Sequence, residues 1–153
     1  MNKTQVIDAL NTAISLEHAA CLQYKQHALL VRGLWRKSFA EYFLEESRNA
    51  HEHAQKFGQK VVALGGVPTV EVGATVRQSL DIEEMLQQDL DLERQALQAY
   101  LEAHALTEDD VALRAMLEDH IDSEQHDIEE LELYLNQVQT AAMTKEVNLR
   151  VVR

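Results

Sequence analysis

Proline and glycine are almost missing from this 153-residue chain, and where they fall limits what it can become. There is one proline, Pro68, and of the five glycines three (Gly65, Gly66 and Gly73) lie between residues 65 and 80. A sandwich or barrel needs turn signals every ~8–12 residues. This chain cannot supply them, so an all-β fold is excluded. Long helices remain, and apolar residues do recur at spacings of three and four almost throughout.

Four segments follow from that period. The first spans about 4–31, with an inward stripe of Ile7, Leu10, Ile14, Glu17, Cys21, Tyr24, Ala28 and Val31. The second spans about 37–64, with Phe39, Phe43, Glu46, Ala50, His53, Phe57, Val61 and Leu64, and Gly65-Gly66 and Pro68 stop it. The third, about 81–105, opens on Asp81 and Glu84 at capping-box spacing and carries Leu86, Leu90, Glu93, Leu97, Tyr100 and His104. The fourth, about 108–139, opens on Thr107 and Asp110 and carries Leu113, Leu117, Ile121, Glu124, Ile128, Leu131, Leu135 and Val138. Residues 140–153 lose the pattern and form a tail bearing Lys145, Arg150 and Arg153. Residues 65–80, if extended, reach about 50 Å, more than the ~42 Å of a 28-residue helix. Their β-branched run Val67, Thr69, Val70, Val72 reads as a packed crossover. Two helical hairpins joined by a long crossover make an all-α four-helix bundle.

Acids outnumber bases 26 to 14, for a net charge of −12. Polyanions repel such a surface, so neither nucleic acid nor an anionic membrane is an expected partner. The lone Cys21 cannot form an internal disulfide or a four-thiolate metal module, and it fits a reducing cytoplasm. No apolar run reaches the ~18 residues of a membrane span, and no secretory leader is expected at the start.

Most of the acids belong on solvated faces. Glu17, Glu46, Glu93 and Glu124 do not, because each interrupts an apolar stripe near its middle, one per helix. Unpaired buried carboxylates cost several kcal/mol each, so they must be neutralised or hold a cation. His53 follows Glu46 by seven residues, His120 precedes Glu124 by four, and Asp127 follows it by three. Carboxylate oxygen with imidazole nitrogen suits iron, manganese or zinc better than magnesium or calcium. The two halves also echo each other. Glu17 and Tyr24 are separated by seven residues, as are Glu93 and Tyr100, with Ala20 and Ala96 at matching places between them.

Taken in order, several stretches resemble the ferritin-like superfamily. Val6-Ile7-x-x-Leu10-Asn11, Glu17 and Gln23-Tyr24 are similar to the first helix of bacterioferritins. Glu46-Ser47, His53-Ala54 and Ala63-Leu64-Gly65-Gly66-Val67-Pro68 are similar to the second helix of bacterioferritins and Dps-like ferritins. Asp89-Leu90-x-Leu92-Glu93 and Glu130-Leu131-Glu132 resemble the third and fourth. The resemblance covers about residues 4–139 and implies a ferritin-like four-helix bundle. It also implies a di-iron or mononuclear iron site and a hollow homo-oligomer of a dozen or two dozen subunits.

Carried over residue by residue, the family's terminal glutamates match Glu17 and Glu93, and its second-helix histidine matches His53. The bridging glutamate three residues before that histidine is Ala50 here, with Glu46 or Asn49 as nearby substitutes. In the fourth helix two registers compete. Alignment on His126 puts Ser123 at the bridge and turns Glu130 and Gln137 inward. Alignment on the leucines puts Glu124 at the bridge and Asp127 at the histidine position, and keeps Leu131, Leu135 and Val138 inward; it is the preferred register. His120 and His126 are secondary ligand candidates. The haem-binding methionine of bacterioferritins corresponds to His51, which reads as an exposed helical histidine, so haem is not expected. The implied activity is oxidation of Fe(II) by oxygen or peroxide, with storage of the product. In that reading Glu17 and His53 hold one metal, Glu93 and Asp127 the other, and Glu124 with Glu46 bridges them. Two other readings use the same bundle: a shell subunit with a decayed site, and an oxidase of an organic substrate.

Overall fold

A computed structural model describes residues 2–151, with side chains from Asn2 to Leu135. The elements are α1 (Lys3–Leu30), a 3-10 turn (Gly33–Trp35), α2 (Arg36–Ala63), α3 (Ile82–Ala105) and α4 (Val111–Val151). No strand occurs among the described residues. Asn2 caps α1, its side-chain oxygen accepting from the backbone N–H groups of Thr4 and Gln5. Gly33 turns the chain with φ 74°, where a Cβ would be strained. α2 ends in a Schellman turn: Gly66 N–H donates to Val61 O and Gly65 N–H to Val62 O, both at 2.9 Å, with Gly65 at φ 91°.

Two boundaries differ from the sequence expectation. Asp110, not Thr107, caps α4, accepting from Leu113 N–H at 2.9 Å, so the helix begins at Val111. The Thr107 hydroxyl instead donates to His104 O at the end of α3. At its other end α4 stays helical to Val151 rather than stopping near 139, because no glycine or proline follows Gly73 to break it. The side chains of Val138 and of the basic tail residues lie outside the described ones. The capping box at α3 is also half used. Asp81 accepts from Glu84 N–H, but Glu84 receives the Ser79 hydroxyl, and Ser79 Oγ takes the Asp81 N–H.

The crossover runs the length of α1 and is pinned to it rung by rung. Asn11 donates to Val67 O and accepts from Thr69 N–H, His18 Nδ1 lies 2.9 Å from Glu71 O, and Gly73 N–H donates to Ser15 O. Arg77 N–H then reaches the Gln23 side chain. These bonds are polar, and Val67, Val70 and Val72 are exposed. The segment is anchored by α1's side chains and backbone carbonyls, not by packing of its own valines. It carries the chain back to the far end of α1, so α3 runs antiparallel to α1, and their middles meet. Ala20 and Ala96, both buried, keep that contact close.

Two glycines in this scaffold predict opposite outcomes. A Cβ at Gly73 would sit 2.2 Å from Ser15 Oγ and 3.1 Å from the Ser15 carbonyl carbon, so Gly73→Ala should destabilise by about 1–3 kcal/mol. A Cβ at Gly58, inside α2, meets only Pro68 at 3.6 Å, and Gly58→Ala should stabilise by about 0.5–1 kcal/mol. Thermal and urea melts of the two variants check both signs.

Candidate metal centre

The centre of the bundle is assembled from the polar positions that break the apolar stripes. Glu17, Glu93 and Glu124 are buried at 1%, 4% and 2% exposure. The ligand atoms of Glu17, His53 and Glu124, from three different helices, all lie within 4.8 Å of one another. His53 Nδ1 is 3.7 Å from Glu17 Oε2 and 3.5 Å from the Tyr100 hydroxyl. Two tyrosines cross between α1 and α3: Tyr24 of α1 donates to Glu93 of α3, and Tyr100 of α3 donates to Glu17 of α1. The Glu-to-Tyr spacing of seven in both halves thereby becomes a reciprocal pair of hydrogen bonds. Burial, with the neighbouring carboxylates, holds both phenols well above their usual range, so they stay donors.

Burial is also the main force on the acids. It pushes the Glu93 carboxyl well up, with Glu17 next, and the Glu124 carboxyl well up, with Glu93 and then Glu17 next. Burial and the neighbouring carboxylates thus bias both carboxyls towards their protonated forms. Protonation of this kind lowers the charge of the centre.

Beside this group sits a second acidic pair. Glu46 is raised to about 7 by burial first and then by Asp127, and Asn49 donates to it at 3.4 Å. Asp127, half-buried, is itself raised by burial. The Ala50 methyl is buried between these groups in sequence, one turn from each of Glu46 and His53. In α4 Glu124, Ile128 and Leu131 are buried, while Ser123 and His126 are exposed. His126 therefore stands apart from the cluster. His51 is exposed on the outer face of α2. His120 packs against His53, ring centres 4.9 Å apart, and against Phe57 at 4.8 Å. Its Nδ1 is 2.7 Å from Met116 O, so Nδ1 carries the proton. Burial lowers its pKa and keeps the ring neutral.

A second buried polar group escapes sequence reasoning. His27 and Asp89 are fully buried, with Nδ1–H donating to Asp89 Oδ2 at 3.0 Å. Gln23 and Gln88 complete the shell around His27 Nε2 at 2.8 and 3.1 Å. The signal that could have found it is His27 itself, three residues after Tyr24 on a neighbouring inward position. The Tyr42 hydroxyl is buried and has no hydrogen-bond partner among the described residues.

Two carboxylates and an imidazole converging inside a four-helix bundle, with the buried carboxyl of Glu93 in the same core, define a ferritin-like carboxylate bundle. The chain belongs to the ferritin family: the model of its ferritin-like domain matches residues 7–141. The chain is 27% identical over 134 residues to the bacterioferritin of Brucella melitensis, covering 86% of this chain and 83% of that one. Among solved structures it is similar to a ferritin-like diiron-carboxylate protein of Bacillus anthracis, with TM-score 0.83, 28% identity, and 87% and 96% of the two chains covered. It is also similar to a dodecameric thioferritin, the bacterioferritin-related protein of Bacteroides fragilis, with TM-score 0.86, 25% identity, and 94% and 92% covered. No helix among the described residues is long and apolar enough to cross a membrane.

The raised carboxyls fix a sign for pH dependence. Asp89 rises from 3.8 to about 6, chiefly by burial, and Glu46 from 4.5 to about 7. The folded protein then binds more protons than the unfolded chain between those values, so stability falls as pH rises through that window. Metal-free protein should be more stable at pH 5.5 than at pH 7.5 by about 2 kcal/mol, read from urea denaturation at the two pH values.

Proposed function

We propose that this chain binds Fe(II) as substrate inside the bundle and oxidises it with oxygen or peroxide, as part of an assembly that stores or detoxifies iron. The observation that carries this reading is the convergence of Glu17, His53 and Glu124 within 4.8 Å, with the carboxyl of Glu93 also buried in the core. Mixed carboxylate and imidazole donors match Fe(II) in softness. Membership of the ferritin family and likeness to a diiron-carboxylate protein support the same metal.

In this reading Glu17 and His53 hold one ion, Glu93 and Asp127 face the second, and Glu124, with Glu46 beside it, lies between them. Tyr24 and Tyr100 fix the orientation of two of the carboxylates through their hydrogen bonds. Burial favours protonated Glu93 and Glu124, and binding a cation would release those protons. The protein supplies geometry and negative charge, and each Fe(II) gives one electron to the oxidant.

Ala50 favours a second reading. It stands where the family's bridging carboxylate is expected, so the chain binds iron without oxidising it quickly. Self-assembly is supported by the dodecameric relative and by Leu22 and Leu29, 45% and 64% exposed on the outer face of α1. The net charge of −12 argues against nucleic acid as a partner, and the single cysteine fits a cytoplasmic setting.

Glu93→Gln tests the chemistry with little disturbance, since the amide still accepts from Tyr24 but carries no charge. It should slow Fe(II) oxidation at least about tenfold, a ligand loss being worth no less than a change in the supporting shell, while the metal-free melting temperature stays equal or rises. Wild-type oxidation no faster than buffer rejects the activity, and iron uptake without oxidation selects the binding-only reading. Light scattering should give a mass several times the 17.4 kDa of one chain; a monomer at micromolar concentration removes storage from the proposal.

A further inference from the structure

One buried nitrogen beside the proposed centre has no structural duty. His120 is 6% exposed, and its Nε2 has no hydrogen-bond partner among the described residues. Its Nδ1–H is spent on the Met116 carbonyl at 2.7 Å, within the same helix. The tautomer is therefore fixed with a lone pair on Nε2, the arrangement that metal-bound histidines use. The ring lies among Phe57, Tyr100 and His53. Phe57 offers no donor, and the Tyr100 hydroxyl already serves Glu17. A core histidine kept for packing would have its second nitrogen satisfied.

We infer that His120 is a further metal ligand, adding a second imidazole to Glu17, His53 and Glu124. Its Nε2 is not among the three atoms that already converge, so the other three ligands close on it when an ion binds, while the Nδ1–H bond to Met116 is kept. The distance allows this. An ion bound about 2.0–2.1 Å from a ring nitrogen lies about 3.2 Å from that ring's centre, and the two ring centres are 4.9 Å apart, well inside twice that reach. His120 stands one turn before Glu124 on α4, at the Phe57 end of the cluster, whereas Ala50 lies at the other end, one turn before His53 on α2. The chain thus has one oxygen donor fewer at one end and one nitrogen donor more at the other. That shifts the centre towards a single ion held by two carboxylates and two imidazoles. This inference rests on the metal-binding reading above.

The test uses the full chain and Co(II) as the probe. Wild-type protein should take up Co(II) with a visible ligand-field spectrum. Its proton NMR spectrum should show two paramagnetically shifted ring N–H signals, one for each bound imidazole. His120→Phe and His120→Gln should each lower Co(II) affinity at least about tenfold and change the visible spectrum. Metal-free His120→Phe should melt no lower than wild type, because it removes an orphaned nitrogen from an aromatic pocket. Unchanged affinity and spectrum in either folded variant, or a single shifted N–H in the wild type, overturns the ligand role and leaves metal binding intact. No Co(II) uptake by the wild type overturns both. The NMR count decides the question even if neither variant folds.

Discussion

The crossed hydrogen bonds between α1 and α3 are the constraint around which the rest of this bundle is arranged. Tyr24 reaches Glu93 and Tyr100 reaches Glu17, so each helix supplies a buried acceptor to the other's donor. Neither bond could form unless α3 lay antiparallel to α1 with their middles aligned. That alignment needs a connection able to return along the whole of α1, which the crossover provides through Asn11, Ser15, His18 and Gln23. The small side chains of Ala20 and Ala96 let the helix axes approach closely enough for the hydroxyls to arrive.

Those bonds also explain how three carboxylates survive in a core. A buried carboxylate is costly unless its oxygens are satisfied or its charge removed. Here Glu17 and Glu93 accept phenolic hydrogen bonds, while burial pushes Glu93 and Glu124 towards their neutral forms. The arrangement is tolerable without metal, but Glu93 and Glu124 still carry raised pKa values, the mark of charges held in a poor solvent. A cation entering the cluster exchanges a weak form of neutralisation for a strong one. Stability is given up at the centre and recovered in the apolar layers above and below it, where Leu10, Ile14, Phe43, Phe57, Leu117 and Leu131 are buried.

Much of the fold was legible because helical periodicity and breakers act locally. The inward stripes named Glu17, Glu46, Glu93 and Glu124 as buried, and all four are. Gly65-Gly66 stopped α2 where expected. The errors arose where two local signals competed. Thr107 and Asp110 both resemble caps, and the choice went to the residue whose carboxylate could reach Leu113 N–H. The valines of the crossover suggested packing, but the segment needed its backbone satisfied, and α1's polar side chains and carbonyls did that while the valines stayed outside. In α4, where His126 and Glu124 offered alternative registers, the preferred leucine stripe expected Ile128 and Leu131 inward, and both are buried, since apolar area outweighs a single polar position.

By itself the sequence determined that this chain makes four long helices, which positions along each face inward, and that acids and histidines sit among those positions. These are properties of spacing, and spacing is fixed along the chain. Only the tertiary structure decided which of those residues meet. The His27–Asp89 pair, the crossed tyrosines, and the unpaired nitrogen of His120 beside His53 all join residues on different helices or depend on what surrounds them. Contact between helices depends on their relative height and rotation, which packing of the whole core sets and no local pattern encodes.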